Sequence, residues 1–547
     1  MLVQHFLENS AARLPEKTAL IYGQEHLSYR EIDNRANILA CRLRSLGIAR
    51  QDRVAILLDT SIESVVALYA ILKADAIFLM LSPTMKVHKL SYILNDCGVK
   101  TLITHPNKAD VVKQAALHSP TTKHILWVGP DHCFSVENRI PGSTTQRLED
   151  PTTPSSLSAT DHGLPFPPRV PNIDLDLATI IYTSGTTGDP KGVMLTHFNM
   201  VSAINSITQY LENRQDDIIM NVLPLSFDYG LYQVLMAFKF GGTVVLEQSF
   251  AYPFQIIQKM MDEKVTGFPG VPTIFAILLS LKNPENLELP NLRYITNTAA
   301  ALPPAHIKQL AKLFPHVRIF SMYGLTECKR VSYLPPEDAL HKPSSVGFAM
   351  PNEEVWIEDD NGQRAASGMV GELVVRGSNV MRGYWGLPEE TTRVLKPGNY
   401  PGEVVLHTGD LFLADDDGYL YFMGRKDDMI KSLGERISPR EIEQCLCEFE
   451  GISEAAVIGI PDDILGQTII AYIRCSVENK VSEKSVVKHC QDNLEDFMVP
   501  RQIRFIEEFP RNDNGKIDKH VLAGMAIESA KSTSGTRRAQ DIECIEE

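Results

Sequence analysis

The sequence predicts an α/β protein of at least two domains, and three observations support this prediction. At 547 residues, the chain exceeds the size at which one hydrophobic core keeps growing. From Asp52 onward, strand-like runs alternate with helical runs, which is typical of α/β layers with parallel strands. After Gly424 the pattern becomes that of a smaller α+β domain. We therefore expect a large N-terminal domain of layered α/β subdomains with a β-rich subdomain, followed by a small α+β domain.

The elements follow from local patterns along the chain. An N-terminal helix is predicted by apolar residues at helical spacing, from Val3 to Leu14. The alternation that follows predicts strands at 54–58, 101–104 and 124–128, with helices at 62–72 and 88–95. Pro, Ser and Thr cluster over 139–173, which indicates a surface loop.

Local patterns also predict the elements in the rest of the chain. Turn signals between short β-prone runs predict the β-rich subdomain over about 355–418. The C-terminal part then contains a predicted helix at 440–447, strands at 455–460 and 469–474, a helix at 483–494 and a strand at 502–505. The last residues, 526–547, are polar without a packing pattern, so we expect a flexible tail.

Composition excludes several classes of protein. The hydrophobic fraction of 44% and the charged fraction of 22% are typical of a globular protein. A net charge of −15 without a long basic run argues against a nucleic-acid partner and against a tRNA-binding synthetase. The nine cysteines are scattered without a C-x-x-C pattern, as expected for free thiols in the cytoplasm. We expect no signal peptide and no membrane span, because Lys73 and Asp75 interrupt the most apolar window.

Residues 181–193 read Ile-Tyr-Thr-Ser-Gly-Thr-Thr-Gly-Asp-Pro-Lys-Gly-Val and form the most informative motif. Glycines let backbone N–H groups turn toward one point, and hydroxyls and an ammonium add further donors. The motif differs from a Walker A loop, because no Ser or Thr follows Lys191. The sequence predicts a loop that binds an oligophosphate through Thr183, Ser184, Gly185, Thr186, Thr187, Gly188 and Lys191.

Four further motifs follow in a fixed order. They are Tyr-Gly-Leu-Thr-Glu at 323–327, Thr-Gly-Asp at 408–410, Gly-Arg-Lys-Asp at 424–427 and Asn-Gly-Lys at 514–516. With the phosphate loop, this set resembles the adenylate-forming superfamily of acyl-CoA synthetases, carrier-protein adenylation domains and beetle luciferases. The resemblance extends from the first helix to about residue 520. It implies an N-terminal domain over 1–424, a hinge at 425–427 with Asp427 as its pivot, and a mobile C-terminal lid over 428–525.

The resemblance also implies roles for individual residues. Lys516 reaches the reacting carboxylate and α-phosphate, and Thr183 and Lys191 assist it. Glu327 binds Mg²⁺, which prefers one carboxylate with phosphate oxygens and water. The ATP site then comprises the phosphate loop, with Ala299, Ala300, Ala301 and Tyr323 beside adenine, Asp410 and Arg425 at the ribose, and Gly324 and Thr326 in the motif that follows Tyr323. A catalytically inactive relative is expected to lose Lys516 or Glu327, and both are present.

The acid substrate is indicated by Asp228, which follows Phe227. Acyl-CoA synthetases tend to carry Phe-His at this place, whereas amino-acid adenylation domains carry Phe-Asp, whose aspartate pairs with the substrate ammonium. A buried carboxylate requires a cation to neutralise it. We therefore expect an amino or imino acid in a pocket lined by Asp228, Tyr229, Tyr232, Met322 and Arg330.

The stretches 326–336 and 424–431 resemble free-standing enzymes that load L-proline onto a separate peptidyl carrier protein. This implies adenylation of L-proline, release of pyrophosphate, and transfer to the phosphopantetheine thiol of that carrier protein, in a natural-product pathway. Because no carrier domain is fused to the sequence, we expect a separate carrier, with CoA as the alternative acceptor. The alternative function is an acyl-CoA synthetase or acyl-carrier-protein ligase that acts on an uncharged acid.

Overall fold

The structure is a computed structural model that describes residues 1–129, 132–138, 170–183, 189–282, 284, 287–426, 428–432, 435–462, 465–475, 481–511 and 516–526. Several predicted features lie outside the described residues. They are nearly all of the loop over 139–173, the loop residues Ser184, Gly185, Thr186, Thr187 and Gly188, the hinge residue Asp427 and the tail beyond residue 526.

The fold is mixed α/β, as predicted, with a large N-terminal domain and a small C-terminal domain. Its helices are α1 His5–Arg13, α2 Tyr29–Ser45, α3 Ile62–Lys73, α4 Val87–Asp96, α5 Ala109–Leu117, α6 His197–Tyr210, α7 Asp228–Phe240, α8 Pro253–Asp262, α9 Pro272–Leu279, α10 Pro304–Leu313, α11 Pro388–Val394, α12 Pro439–Glu448 and α13 Glu483–Asn493.

Strands outnumber helices along the described chain. They are β1 Thr18–Tyr22, β2 Glu25–Ser28, β3 Arg53–Leu57, β4 Ile77–Met80, β5 Thr101–Thr104, β6 His124–Val128, β7 Phe134–Asn138, β8 Leu177–Thr183, β9 Lys191–Thr196, β10 Ile218–Asn221, β11 Thr243–Leu246, β12 Gly267–Gly270, β13 Tyr294–Asn297, β14 Arg318–Tyr323, β15 Ser332–Tyr333, β16 Phe348–Ala349, β17 Glu353–Glu358, β18 Gly371–Gly377, β19 Gly383–Tyr384, β20 Leu395–Pro397, β21 Val404–Ala414, β22 Leu420–Arg425, β23 Ile430–Ser432, β24 Glu435–Ile437, β25 Ile452–Asp462, β26 Gly466–Cys475 and β27 Gln502–Phe505.

Two large sheets form the framework of the N-terminal domain. One has the strand order β16-β15-β14-β13-β12-β10-β11-β1-β2, and the other has the order β19-β9-β8-β4-β3-β5-β6-β7. Neighbouring strands pair in parallel from β14 to β1 in the first sheet and from β8 to β6 in the second, as the strand–helix alternation predicts. Helices α3 and α7 are buried along most of their length in an apolar cluster that contains residues of both sheets. A helix that is apolar on all sides is stable only in such a setting.

The β-rich subdomain has the strand order β17-β18-β21-β20, and β22 pairs with β21. The C-terminal domain has its own sheet, β24-β23-β26-β25, with β27 beside β26. Apolar clusters on this sheet contain residues from Ile430 to Ala526 only, so the C-terminal domain has a core separate from that of the N-terminal domain.

Candidate active site

The hairpin of β8 and β9 presents the ends of the predicted phosphate loop. Thr183 and Lys191 are the last cross-strand pair of this hairpin. The Lys191 ammonium lies 2.6 Å from Oε2 of Glu390 and 5.5 Å from the centroid of the Tyr384 ring. These contacts place a positively charged group at the entrance of the loop, as a phosphate site requires.

Tyr323, Asp410 and Arg425 form a hydrogen-bonded group at the edge of the β-rich subdomain. The Tyr323 hydroxyl donates to Oδ2 of Asp410 at 2.5 Å, and Nε of Arg425 donates to Oδ1 at 3.0 Å. Asp410 and Arg425 are opposite each other on β21 and β22, which brings the two predicted ribose contacts together. Burial raises the pKa of Asp410, while the Arg425 guanidinium opposes that shift. The Asp410 carboxylate of this group is able to accept hydrogen bonds from ribose hydroxyls that come within hydrogen-bonding distance.

The small residues predicted to approach adenine follow β13. Ala299 adopts the left-handed conformation with φ of 75°. Nδ2 of Asn297 donates to the carbonyl oxygen of Ala300 at 2.9 Å and fixes the turn, while the side chains of Ala300 and Ala301 are exposed. The left-handed φ explains why related sequences prefer glycine in this run.

Glu327 lies in the turn that connects β14 to β15, directly after Thr326. Its Oε1 accepts a hydrogen bond of 2.8 Å from the Tyr384 hydroxyl. No group of three or more His, Cys, Asp or Glu side chains arranged for a metal is found in the described part of the chain. A single oriented carboxylate still suits Mg²⁺, which takes most of its ligands from phosphates and water.

Lys516 belongs to the C-terminal domain, yet its electrostatic surroundings belong to the N-terminal domain. Desolvation lowers the pKa of Lys516, whereas the carboxylates of Asp228, Asp410 and Glu327 raise it and the Arg425 guanidinium lowers it. These residues of the N-terminal domain are therefore the charged groups with which Lys516 interacts electrostatically.

Four of the predicted acid-pocket residues, Tyr229, Tyr232, Met322 and Arg330, are buried, and Asp228 is partly buried. Tyr229 and Tyr232 are on α7, and the Tyr229 hydroxyl donates to the carbonyl oxygen of Thr296 at 2.9 Å. Sδ of Met322 accepts a hydrogen bond of 3.0 Å from the Tyr210 hydroxyl. Arg330 donates to Oγ1 of Thr298, and its guanidinium lies 5.4 Å from the Tyr229 ring centroid. The pocket wall is thus fixed by hydrogen bonds.

Lys329 is a member of this site that sequence reasoning missed. Its Nζ lies 3.4 Å from Oδ2 of Asp228 and 4.3 Å from the centroid of the Tyr232 ring. Burial lowers the pKa of Lys329 to about 7, and Asp228 opposes this shift. Asp228 therefore has a cation within the protein itself, which removes the physical reason for requiring one from the substrate. The sequence contains no signal for this pair beyond the nearness of Lys329 to the 323–327 motif.

Gly324 explains how the turn reaches the pocket. A Cβ atom at this position would lie 2.3 Å from the carbonyl oxygen of Lys329 and 2.9 Å from Cα of Arg330. Only glycine permits that approach, so the turn can fold back and direct both cationic side chains inward.

The fold and the groups that converge on Lys516 define an adenylate-forming ligase. The chain belongs to the AMP-binding enzyme family, whose model matches residues 7–385, and the AMP-binding enzyme C-terminal domain matches residues 441–516. This confirms the predicted membership of the adenylate-forming superfamily. The chain is accordingly an AMP-forming ligase of the acid–thiol class, and ATP is its nucleotide.

Relatives match nearly the whole chain. A long-chain-fatty-acid–CoA ligase of Bacillus subtilis is 30% identical over 538 residues, covering 95% of this chain and 94% of that protein. Gramicidin S synthase 2 of Brevibacillus brevis is 29% identical over 523 residues, covering 95% of this chain but 11% of that protein. The ATP-bound structure of MatB from Rhodopseudomonas palustris has a TM-score of 0.83 at 26% identity, covering 96% of this chain and 99% of that one.

None of the helices within the described ranges is both long and apolar enough to cross a membrane.

Proposed function

We propose that this chain uses ATP to convert a carboxylic acid without an α-ammonium group into an acyl-AMP, with release of pyrophosphate. It then transfers the acyl group to the thiol of CoA. The observation that carries the proposal is the position of Lys516, which shares its surroundings with Asp228, Asp410 and Glu327. An ammonium at this point faces the acid site, the ribose site and the metal site together. The Asp228–Lys329 pair supports an acid without its own cation.

In the first half-reaction, a carboxylate oxygen of the acid attacks the α-phosphorus of ATP. The bond from that phosphorus to the bridging oxygen breaks, and pyrophosphate leaves as the acyl-AMP anhydride forms. Lys516 stabilises the negative charge that spreads over the attacking carboxylate and the α-phosphate oxygens. Asp410 and Arg425 hold the ribose, and Lys191 with Thr183 lies where the β- and γ-phosphates enter the loop.

Glu327 is the residue that would hold Mg²⁺ at this site. The ion, when bound, neutralises phosphate charge. Its other neighbours would be substrate phosphates, so one fixed carboxylate is a sufficient protein contribution.

In the second half-reaction, the sulfur of the acceptor thiol attacks the acyl carbonyl carbon. The bond from that carbon to the AMP oxygen breaks, AMP leaves, and the thiol proton passes to solvent. We propose that the C-terminal domain rotates about Asp427 between the two halves, which removes Lys516 and opens a path for the thiol.

A second candidate is adenylation of an amino or imino acid, L-proline first, with transfer to a separate carrier protein. The observation in its favour is that Asp228 raises the pKa of Lys516 more than Asp410 or Glu327 does, so a carboxylate that could pair with a substrate ammonium interacts electrostatically with the proposed catalytic lysine. The likeness of this chain to gramicidin S synthase 2 also agrees with it. In this case the substrate ammonium would compete with Lys329 for Asp228.

Acid-dependent exchange of labelled pyrophosphate into ATP tests the proposal. The panel contains short, aromatic and long-chain acids, L-proline and the other proteinogenic amino acids. We expect exchange with an uncharged acid and, when CoA is added, formation of AMP and an acyl-CoA that mass spectrometry detects. Exchange with L-proline alone, followed by loading of a phosphopantetheinylated carrier protein, would support the second candidate instead. A folded protein that exchanges with no acid would contradict both.

A further inference from the structure

The net charge of the acid pocket depends on one largely buried ion pair, that of Lys329 with Asp228. The side chain of Lys329 is 3% exposed and that of Asp228 is 12% exposed, with 3.4 Å between Nζ and Oδ2. An uncompensated buried charge is costly, and removing one partner of such a pair strongly destabilises the other. Each of these side chains therefore supplies the counter-ion that the other requires.

The backbone is arranged to make this pair. Asp228 is the first residue of α7, where a carboxylate also interacts favourably with the helix dipole. Lys329 has φ of 68°, a left-handed conformation that is unusual for a residue with a side chain. Strained residues of this kind persist where the surrounding structure imposes them, and they cluster at functional sites.

The neighbours of the Lys329 ammonium leave little room for a second cation. Its Nζ lies 4.3 Å from the Tyr232 ring centroid and 5.7 Å from that of Tyr229, so both aromatic faces already interact with a cation. Arg330 follows directly and is buried, with its guanidinium 5.4 Å from the Tyr229 ring centroid. A substrate ammonium at Asp228 would therefore add a further positive charge to a region that already holds Lys329 and Arg330.

A substrate carboxylate has the opposite effect. Held by Lys516 beside Asp228, it brings a second negative charge near the pair. The Lys329 ammonium, 3.4 Å from Asp228, offsets the charge of that carboxylate while the acid reacts. An acid that is neutral apart from its carboxylate thus completes the charge balance of the pocket.

We propose that Lys329 is a specificity-determining residue, whose ammonium occupies the position beside Asp228 that a substrate α-ammonium would need and so excludes amino acids in favour of uncharged acids. This inference rests on the proposed function, because it names the class of acid for the same reaction. Lys329 touches no reacting atom and acts through Asp228. Loss of the Lys329 ammonium should therefore change which acid the protein adenylates and not only the rate of adenylation.

The test compares acids with their 2-amino analogues, which differ mainly in the ammonium group. The pairs are hexanoate and norleucine, 3-phenylpropanoate and phenylalanine, and cyclopentanecarboxylate and proline. Pyrophosphate exchange gives kcat/KM for each member. We expect the wild type to prefer the uncharged member, and Lys329→Met to shift the ratio toward the 2-amino member by roughly tenfold or more, because Asp228 becomes available to the ammonium.

Three further variants separate charge from structural damage. Lys329→Arg retains the cation and should retain the preference for the uncharged acid. Lys329→Met combined with Asp228→Asn removes both charges and should restore that preference. Lys239→Met is the matched control, because Lys239 is a partly buried lysine at the other end of α7 that donates to Oγ1 of Thr208. Thermal unfolding of every variant shows whether it is folded.

The outcomes are distinguishable. An unchanged pair ratio in folded Lys329→Met would make Lys329 structural and overturn the inference. Preference of the wild type for 2-amino acids would overturn it while leaving adenylation intact. Exchange with no member of any pair, nor with the wider panel of acids, would contradict the proposed function, and the inference would fall with it.

Discussion

At the scale of the residue, Lys516 is the group on which the first half-reaction depends most. The carboxylates of Asp228, Asp410 and Glu327 each raise the pKa of Lys516, against the lowering that desolvation causes. We predict that Lys516→Ala lowers the rate of acid-dependent pyrophosphate exchange by about a hundredfold or more, because preorganised charge at the reacting oxygens is lost. The measurement is kcat for exchange at saturating ATP and acid.

Lys519 provides the control for this change. It lies three positions further along and forms an ion pair of 2.7 Å with Oε1 of Glu443, inside the C-terminal domain. Lys519→Ala removes the same charge from the same segment and should leave exchange nearly unchanged. Equal losses in both variants would show that the segment matters for folding rather than Lys516 for chemistry.

A second prediction at this scale concerns Asp410 and the KM for ATP. It accepts hydrogen bonds from Tyr323 and Arg425 while its carboxylate remains available to ribose. Asp410→Asn should raise KM for ATP by about tenfold to a hundredfold, because hydrogen bonds to a charged group are lost. Tyr323→Phe removes one donor and keeps the carboxylate, so its effect on KM should be smaller. A larger effect for Tyr323→Phe would argue against the carboxylate as the ribose contact.

At the scale of the element, the turn between β14 and β15 contains residues of two proposed sites. They are Glu327 of the proposed metal site, and Lys329 and Arg330 of the proposed acid pocket, and the turn folds back over Gly324. We predict that Gly324→Ala displaces this turn, because a Cβ would lie 2.3 Å from the Lys329 carbonyl oxygen. Overpacking of this kind costs about 1–3 kcal/mol of folding free energy. Thermal unfolding and pyrophosphate exchange should both decline.

Gly524 is a matched control for that substitution. It lies in helical backbone of the C-terminal domain, and a Cβ there would meet nothing within 4 Å. Gly524→Ala should leave exchange unchanged and raise stability by up to about 1 kcal/mol, because alanine favours a helix more than glycine does. If Gly324→Ala were equally harmless, the close approach of the turn would not be essential.

Some elements of the fold can be predicted from the sequence, whereas the Asp228–Lys329 contact made by this turn cannot. The helices α3 and α13 and the strands β5 and β6 are recoverable from local periodicity, because their apolar spacing is set by which side they bury. The pairing of Asp228 with Lys329 is not recoverable in this way, since the two residues are about a hundred positions apart. Their contact depends on sheet order and on one left-handed residue.

The expectation of an amino acid substrate shows the consequence of that gap. From the sequence alone, the cation beside Asp228 is expected to come from the substrate. The structure adds Lys329 as another source of that cation, 3.4 Å away, and an amino acid substrate remains the second candidate. By contrast, the approach of Lys516 to the ribose and metal residues follows from motifs in a known order, so the resemblance alone was enough to expect it.

At the scale of the whole molecule, the two domains share a site without sharing a core. The apolar clusters of the N-terminal domain contain buried residues no further along the chain than Leu420, and those of the C-terminal domain begin at Ile430. A hydrogen bond joins the domains where Nη1 of Arg511 donates to Oγ1 of Thr273 at 3.3 Å. Separate cores are typical of domains that can move relative to each other.

The separate cores predict that AMP binding and pyrophosphate exchange can be separated experimentally. A fragment of residues 1–426 keeps both large sheets, the Tyr323–Asp410–Arg425 group and Glu327, so it should fold and bind AMP with an affinity close to that of the full chain. It lacks Lys516 and should therefore give no more pyrophosphate exchange than Lys516→Ala. Calorimetric titration with AMP and the exchange assay measure the two properties. A folded fragment that no longer binds AMP would show that the C-terminal domain builds the nucleotide site, whereas a fragment that exchanges at the full rate would remove Lys516 from the chemistry.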